Sequence, residues 1–554
     1  SLSYTATDLS KYYKLKITVK NANGRSNVYY SKPFNFGKAQ PVATNVKISG
    51  KSNIDEKITL TYKLEDPSGS NELTAAIKWY RSSDGIDWQE IDGAAEAAYW
   101  PAAEDLGQYI RAGVTPSKAD LDGDEVYSNN IGPIERTAVD FVFVYGQSNS
   151  ADTPFKGEKN ENAYLPGEHT LYTWQYPRSV SGNTYSWNGN GLAKITDDDG
   201  NDLGEWAEVN DVRMFGVPLC TRWSELSGNK VVYFNAGIPG AAFGDLGKGQ
   251  RGYNAAVAGI KKAFEEIEAR GYTINKKLMF WLQGESNAGG TLSAEYTKDF
   301  IEMQNGLYSE LGAFDLTGIL IVRGWMNDCF HNQTWDLYLT GPRASQYAMN
   351  NAENNVNLVS IVTERMTNDK DLEEYMLEKY PNPVEFKNKF KMERPTNVSR
   401  QIVHSMSGSN DGHYVDQGKL LIGVDAAENA YKILYGTDKT ATDIRVLNQF
   451  GVQQDSGDVI DLTGMKTYIA VTAMPVYTDE KVEVTLSDNI SDFVKYDYYD
   501  GSLTQTKETN VEYGTITFKT KNAEKTLKVK LKTDGYPIKF GWDFEEHDSV
   551  TVKN

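Results

Sequence analysis

The run Val139-Asp140-Phe141-Val142-Phe143-Val144-Tyr145 is strongly apolar, has the length of a strand and stops abruptly at Gly146. Such a run is read as a buried strand, and the small polar residue that follows it stands at the strand's carboxyl end, where open α/β sheets keep their active sites. Ser148, in the turn Gly146-Gln147-Ser148-Asn149, is therefore a candidate nucleophile. A serine hydroxyl is a poor nucleophile unless a base takes its proton, so a histidine must return to the same sheet edge. Of the chain's five histidines, His413 lies in Ser409-Asn410-Asp411-Gly412-His413-Tyr414, directly before an amphipathic stretch read as the last helix of the same domain.

From Ala138 onward the pattern alternates strands with helices. Strands are expected at 140–145, 231–235, 277–282, 319–323 and 358–363, each rich in branched or aromatic residues. A helix is expected over 254–270, with Val257, Ile260, Phe264 and Ile267 on one face and Gly271 as its cap, and a final helix over 416–434. This βαβ grammar predicts a parallel, three-layer sheet, since right-handed crossovers cover both faces. Beyond Thr437 the chain returns to β-like alternation at 467–472, 481–486 and 526–531, read as a separate β-sandwich.

The amino-terminal part carries a repeat. Asp8-Leu9 with Tyr12, Ile17-Thr18 and Tyr30-Ser31 recur as Asp105-Leu106 with Tyr109, Val114-Thr115 and Tyr127-Ser128, each 97 positions later. The period suits an immunoglobulin-like β-sandwich, and Asp84-Gly85 between two strand-like runs predicts a hairpin turn in the second copy. The expected organisation is a partial immunoglobulin-like module at 1–37, a complete one at 38–136, the α/β domain at 137–437 and the tail sandwich at 438–554. This reading implies a carboxyl-terminal fragment of a longer protein, cut within a module.

Composition narrows the partners. With 76 acidic against 57 basic residues the net charge is -19, which repels phosphate backbones and anionic lipid and argues against nucleic-acid or membrane-surface binding. No apolar run approaches the ~20 residues of a membrane helix. Cys220 and Cys329 are the only cysteines, too few for a disulfide scaffold and without metal or redox spacing. The 34 tyrosines and 11 tryptophans suit carbohydrate stacking, but tyrosine-rich sandwiches show the same bias for packing reasons.

Three segments together carry a resemblance: Gly146-Gln147-Ser148-Asn149, Trp281-Leu282-Gln283-Gly284-Glu285-Ser286-Asn287, and Asp411-Gly412-His413-Tyr414 before the last helix. Gly237-Ile238-Pro239-Gly240-Ala241-Ala242-Phe243 is a fourth, in a loop after a strand. In this order and spacing, from about 138 to 435, they resemble the SGNH hydrolase superfamily and, within it, the sialate O-acetylesterase-like and acetylxylan esterase-like carbohydrate esterases. The resemblance implies Ser148 as nucleophile and His413 as base. It also implies an oxyanion site made by the main-chain N–H groups of Ser148 and Gly240 and the Gln283 amide, with no metal and no cofactor.

The superfamily places an aspartate three residues before the histidine, where this chain has Asn410, with Asp411 only two before. Glu285, or a dyad without an acid, ranks ahead of Asp411 as what orients His413. The expected activity is a secreted or bacterial cell-surface carbohydrate O-acetylesterase acting on acetylated glycans, O-acetylated sialic acid first and acetylated xylan or another plant glycan second. The β modules are expected to anchor or target it. The alternative is an inactive esterase-like domain that binds glycans as a surface adhesin, a reading kept open by Asn410.

The remaining features read as structural. His169, His331, His404 and His547 have no partner at ligand spacing, and Asp197-Asp198-Asp199-Gly200-Asn201-Asp202 lacks the sixth-position glycine and distal glutamate of a calcium loop. The charge-rich stretch 370–391 is expected to be an exposed insertion near the active-site edge.

Overall fold

The computed structural model describes residues 11–35, 40–67, 72–118, 121–150, 216–238, 240–287, 291–321, 340–351, 355–366, 368–406 and 409–533, and short strands between 171 and 208. The chain forms two compact units, Ser1–Ala138 with Phe264–Thr273, and Val139–Ala263 with Ile274–Asn554.

In the first unit, two antiparallel sheets make the second repeat copy. Val42–Ser49, Ile58–Glu65 and Ala98–Tyr99 form one, and Thr74–Ser82, with Gln89–Glu90 and Tyr109–Lys118, forms the other. Trp79 lies in the core between them, its ring stacked on Tyr99 at 5.2 Å and its indole N–H donated to the Glu96 carbonyl at 2.9 Å. The Asp84-Gly85 turn is present, with Asp84 Oδ1 accepting from the Ile86 and Asp87 amides at 2.8 and 2.9 Å.

The repeat extends to hydrogen-bond register. Lys16 pairs with Tyr30 and Ile17 with Tyr29, while 97 positions later Gly113 pairs with Tyr127 and Val114 with Val126. Leu15 N–H donates to Ser31 Oγ at 2.9 Å, and Ala112 N–H to Ser128 Oγ at 3.0 Å. Burial separates the copies. Ala112 and Val114 are fully buried, whereas their counterparts Leu15 and Ile17 are 54% and 49% exposed. The physical reason is that Tyr109–Lys118 is also paired with Thr74–Ser82, and no equivalent strand flanks Lys16–Lys20 among the described residues.

The α/β layers are built on β1 (Thr137–Gly146), α1 (Gly216–Ser227), β2 (Lys230–Asn235), α2 (Arg251–Ala269), β3 (Tyr272–Leu282), α3 (Ser293–Leu311), β4 (Leu316–Leu320), α4 (Thr340–Asn351), β5 (Val356–Ser360) and α5 (Asp416–Tyr435). The sheet order is β2-β1-β3-β4-β5, a doubly wound arrangement whose strand order reverses beside β1. Leu171–Gln175 adds a parallel strand outside β2, and Asp202–Glu208 and Ala193–Thr196 continue that edge antiparallel. All five strands expected from sequence are present, each beginning somewhat earlier than anticipated, and β4 and β5 end at Leu320 and Ser360, short of the expected 323 and 363.

Alternation along the strands sorts side chains between two helix layers. Val142, Val144, Leu278, Phe280 and Leu282 belong to the core that includes Val217 and Trp223 of α1 and Leu421 and Val424 of α5. Phe143 and Tyr145 lie on the other face, with Phe234, Trp281 and Phe314 in ring contact, and Phe300 of α3 packs on Trp281. Asp140 is fully buried within β1 and is satisfied by the Trp223 indole and the Asn229 and Asn275 amides, at 2.8, 3.1 and 2.8 Å.

The stretch 370–391 is not an exposed insertion. It forms helices Asp369–Lys379 and Pro383–Phe390, whose Leu372, Tyr375, Met376, Phe386 and Phe390 join the α1–α5 core. The charges occupy the outer faces, which hid a genuine apolar stripe.

The tail has a core of its own, including Ile444, Val446, Ile460, Val471, Phe518, Leu527 and Val529, yet it is not detached from the α/β layers. Ser293 and Thr297 of α3 donate their hydroxyls to the carbonyls of Asp500 and Tyr499 at 2.7 and 3.1 Å. Glu364, nearly inaccessible, lies 3.4 Å from Arg343 of α4 and 3.7 Å from Arg445 on the tail strand Asp443–Leu447. The expected strand 467–472 is divided into Lys466–Tyr468 and Ala470–Met474, which pair in different sheets. Among the described residues no helix is long and apolar enough to cross a membrane.

Candidate active site

β1 ends in a turn that only glycine permits at its first position. Gly146 has φ 145°, and a Cβ there would stand 2.1 Å from the Leu282 carbonyl oxygen at the end of β3. This close approach brings the turns after β1 and β3 together. Gln147 N–H donates to Leu282 O at 3.2 Å, and Gln147 Oε1 accepts from the amides of Gly284 and Ser286 at 3.3 and 2.9 Å. The turn after β2 is tied in as well: Ile238 N–H donates to Gly146 O at 2.9 Å, and Asn235 at the end of β2 donates to the Ser150 carbonyl at 2.8 Å.

Ser148 is held at the centre of these three turns, 9% exposed, with its Oγ 2.8 Å from His413 Nε2. The histidine arrives on strand Ser409–Tyr414, paired antiparallel with Val403–Met406 and followed by α5. Residues 265 positions apart in sequence thus meet at nucleophile–base distance.

Among the described residues Glu285 makes no hydrogen bond to His413 itself. Its Oε1 accepts from Asn149 Nδ2 at 2.8 Å, and its buried Oε2 has no hydrogen-bond partner among the described residues. Geometry makes it a partner of the residue after the nucleophile, a role that spacing alone could not reveal. The side chains of Asn410 and Asp411 lie outside the described residues, as do those of His404 and the whole of His169, His331 and His547.

Gln283 is fully buried and its amide hydrogens are engaged, donating to the Ala241 carbonyl at 3.2 Å and to Asn287 Oδ1 at 2.6 Å. Its Oε1 accepts from the Tyr296 hydroxyl at 3.0 Å, and Gln346 donates to its carbonyl at 2.7 Å. Burial pushes the Tyr296 hydroxyl far above its ordinary range, which keeps it a donor. With its donors committed in this way, Gln283 fixes the 240–241 loop and is not free to face an oxyanion. The other two expected donors differ. Among the described residues neither the Ser148 nor the Gly240 main-chain N–H donates a hydrogen bond, and Gly240 sits in the left-handed region with φ 73°.

Asn149, Gln147 and Asn235 are site residues that sequence reading missed as such. The signal for two of them was their place inside the Gly-Gln-Ser-Asn turn, where each was treated as context for the serine. Residues 197–201, the calcium-like stretch, lie outside the described residues, and no group of three His, Cys, Asp or Glu side chains among the described residues is placed to hold a metal ion.

No protein-family model matches the chain, and no curated protein does. Solved structures similar to it include a carbohydrate acetylesterase from Xanthomonas citri, at 12% identity and TM-score 0.35, covering 89% of this chain and 95% of that one. NanS is at 12% identity and TM-score 0.31, covering 54% of this chain and 98% of that one. A protein from Arabidopsis thaliana is at 13% identity and TM-score 0.32, covering 53% and 98%.

Proposed function

We propose that the chain is a carbohydrate O-acetylesterase that removes acetyl groups from glycans, with O-acetylated sialic acid the leading substrate, by Ser148–His413 nucleophilic catalysis. The observation that carries this reading is the 2.8 Å contact between Ser148 Oγ and His413 Nε2 at the carboxyl end of β1. Its support is chemical. A hydroxyl hydrogen-bonded to an imidazole, on a residue whose own main-chain N–H donates to no acceptor among the described residues, is equipped for acyl transfer.

In the proposed reaction Ser148 Oγ attacks the acetyl carbonyl carbon as His413 Nε2 takes the hydroxyl proton. The tetrahedral oxyanion is stabilised by the N–H groups of Ser148 and Gly240. Collapse breaks the bond to the sugar oxygen, which leaves with the proton from His413, and an acetyl group remains on Ser148. Water then attacks this ester, again deprotonated by His413, and acetate departs as the proton returns to Ser148 Oγ. Loss of one oxyanion donor in such sites costs about 10²- to 10³-fold in rate.

The test is turnover of p-nitrophenyl or 4-methylumbelliferyl acetate, followed by O-acetylated sialic acid and acetylated xylan. Ser148→Ala is expected to lower the rate by at least about 10³-fold with circular dichroism unchanged, and EDTA to have no effect. Full activity in the folded Ser148→Ala protein would end the assignment.

A further inference from the structure

We infer that Asn149 is a latch that seats the His413 strand on the nucleophile turn, and that Glu285 sets the direction of its amide; this rests on the esterase reading above. Asn149 is 3% exposed and follows Ser148, while Tyr414 follows His413. Its Nδ2 donates to Glu285 Oε1 at 2.8 Å and its Oδ1 accepts from the Tyr414 main-chain N–H at 3.3 Å. One amide thus bridges the turn after β3 and the strand that brings the base, next to the 2.8 Å contact between Ser148 and His413.

The direction of this bridge is chemically forced. An ionised carboxylate only accepts hydrogen bonds and a main-chain N–H only donates. Asn149 satisfies both neighbours in a single orientation, nitrogen toward Glu285 and oxygen toward Tyr414. Turned over, it would set oxygen against carboxylate and N–H against N–H. Glu285 therefore acts on the base at one remove, as a positioning residue. Its second oxygen, Oε2, has no hydrogen-bond partner among the described residues, and the Asn149 contact is the hydrogen bond that holds its side chain there.

The test exchanges the donor and acceptor across the pair. Asn149→Asp places two carboxylates face to face, and kcat on a small acetyl ester is expected to fall about 10²-fold above neutral pH, the scale of a misplaced general base. Activity should recover on acidification as the two carboxylates share one proton, while KM changes little. In the double variant N149D/E285Q, the glutamine donates to the new aspartate, which still accepts from Tyr414. Its rate is expected to return to within about tenfold of Glu285→Gln alone, with the wild-type pH profile restored. A double variant no better than Asn149→Asp, or an Asn149→Asp enzyme with wild-type rate and pH profile, would overturn the latch.

If Asn149→Asp does not fold, Asn149→Ser, which removes the bridge without repulsion, takes its place and is expected to show the same loss in kcat. An unchanged kcat in folded Asn149→Ser overturns the proposal. Imidazole NMR of His413 separates this failure from failure of the esterase reading. The ring signals must shift in the latch variants toward those of Ser148→Ala even if the protein hydrolyses no acetyl ester, and unchanged signals would sink the latch on their own.

Discussion

Gln147 Oε1 takes a 2.9 Å hydrogen bond from the main-chain N–H of Ser286, so a side chain on the nucleophile's turn closes a turn 139 residues away. Gly284 N–H adds a second bond to the same oxygen at 3.3 Å. Gln147→Leu fills similar space and accepts from neither. Leaving such donors unmet costs about 1–3 kcal/mol, so the melting temperature should fall together with kcat, measured on a small acetyl ester. An unaltered melting temperature would show that water replaces the glutamine.

Gly146→Ala should be more severe. The added methyl stands 2.1 Å from a backbone oxygen of β3, and φ 145° is itself costly for any residue with a Cβ. The expected result is a protein that expresses poorly or melts at much lower temperature, and whose folded fraction has lost esterase activity because Ser148 is displaced.

Acid should weaken the contact between α5 and the helix Asp369–Lys379. Burial acts to raise the Glu428 carboxyl, but Lys379 and Arg222 more than reverse this and hold it below its ordinary value of 4.5. A carboxyl lowered in the folded state contributes stability that is fully present above 4.5 and is lost as pH falls through the depressed folded value. Chemical denaturation between pH 6 and pH 3 should show this loss in the wild type and a flatter profile in Glu428→Gln.

Arg445→Met tests whether the tail and the α/β layers melt as one. It removes a cation 3.7 Å from the buried Glu364 carboxylate, which among the described residues keeps Arg343 at 3.4 Å and the Tyr347 hydroxyl as partners. Breaking a buried pair from one side costs about 3–5 kcal/mol. We expect a loss of that order in urea and a split of one unfolding transition into two, read by tryptophan fluorescence and by calorimetry.

The sheet was legible because buried parallel strands are written as runs such as 139–145, where composition alone carries the message. Ser148 and His413 were legible because a strand end and a helix start locate them without any knowledge of contacts. Glu285 was recognised as important but given the wrong neighbour, since its distance to His413 depends on how two loops fold over each other. The tail's docking was invisible for a different reason. Its hydrogen bonds to α3 use the carbonyls of Tyr499 and Asp500, groups every residue has and no sequence pattern marks. In 370–391 the apolar spacing Leu372, Tyr375, Met376 was present but outnumbered by charge.

The interlocking of the turns after β1 and β3 also bears on how such a chain can change over generations. Gln147 serves amides at 284 and 286, Asn149 serves the carboxylate at 285, and Leu282 blocks any side chain at 146. Neither turn keeps its shape if the other drifts. A change in one segment therefore has to be matched in the other across more than a hundred residues, and a recombinant joined between them is expected to work only if both parents carry matching halves.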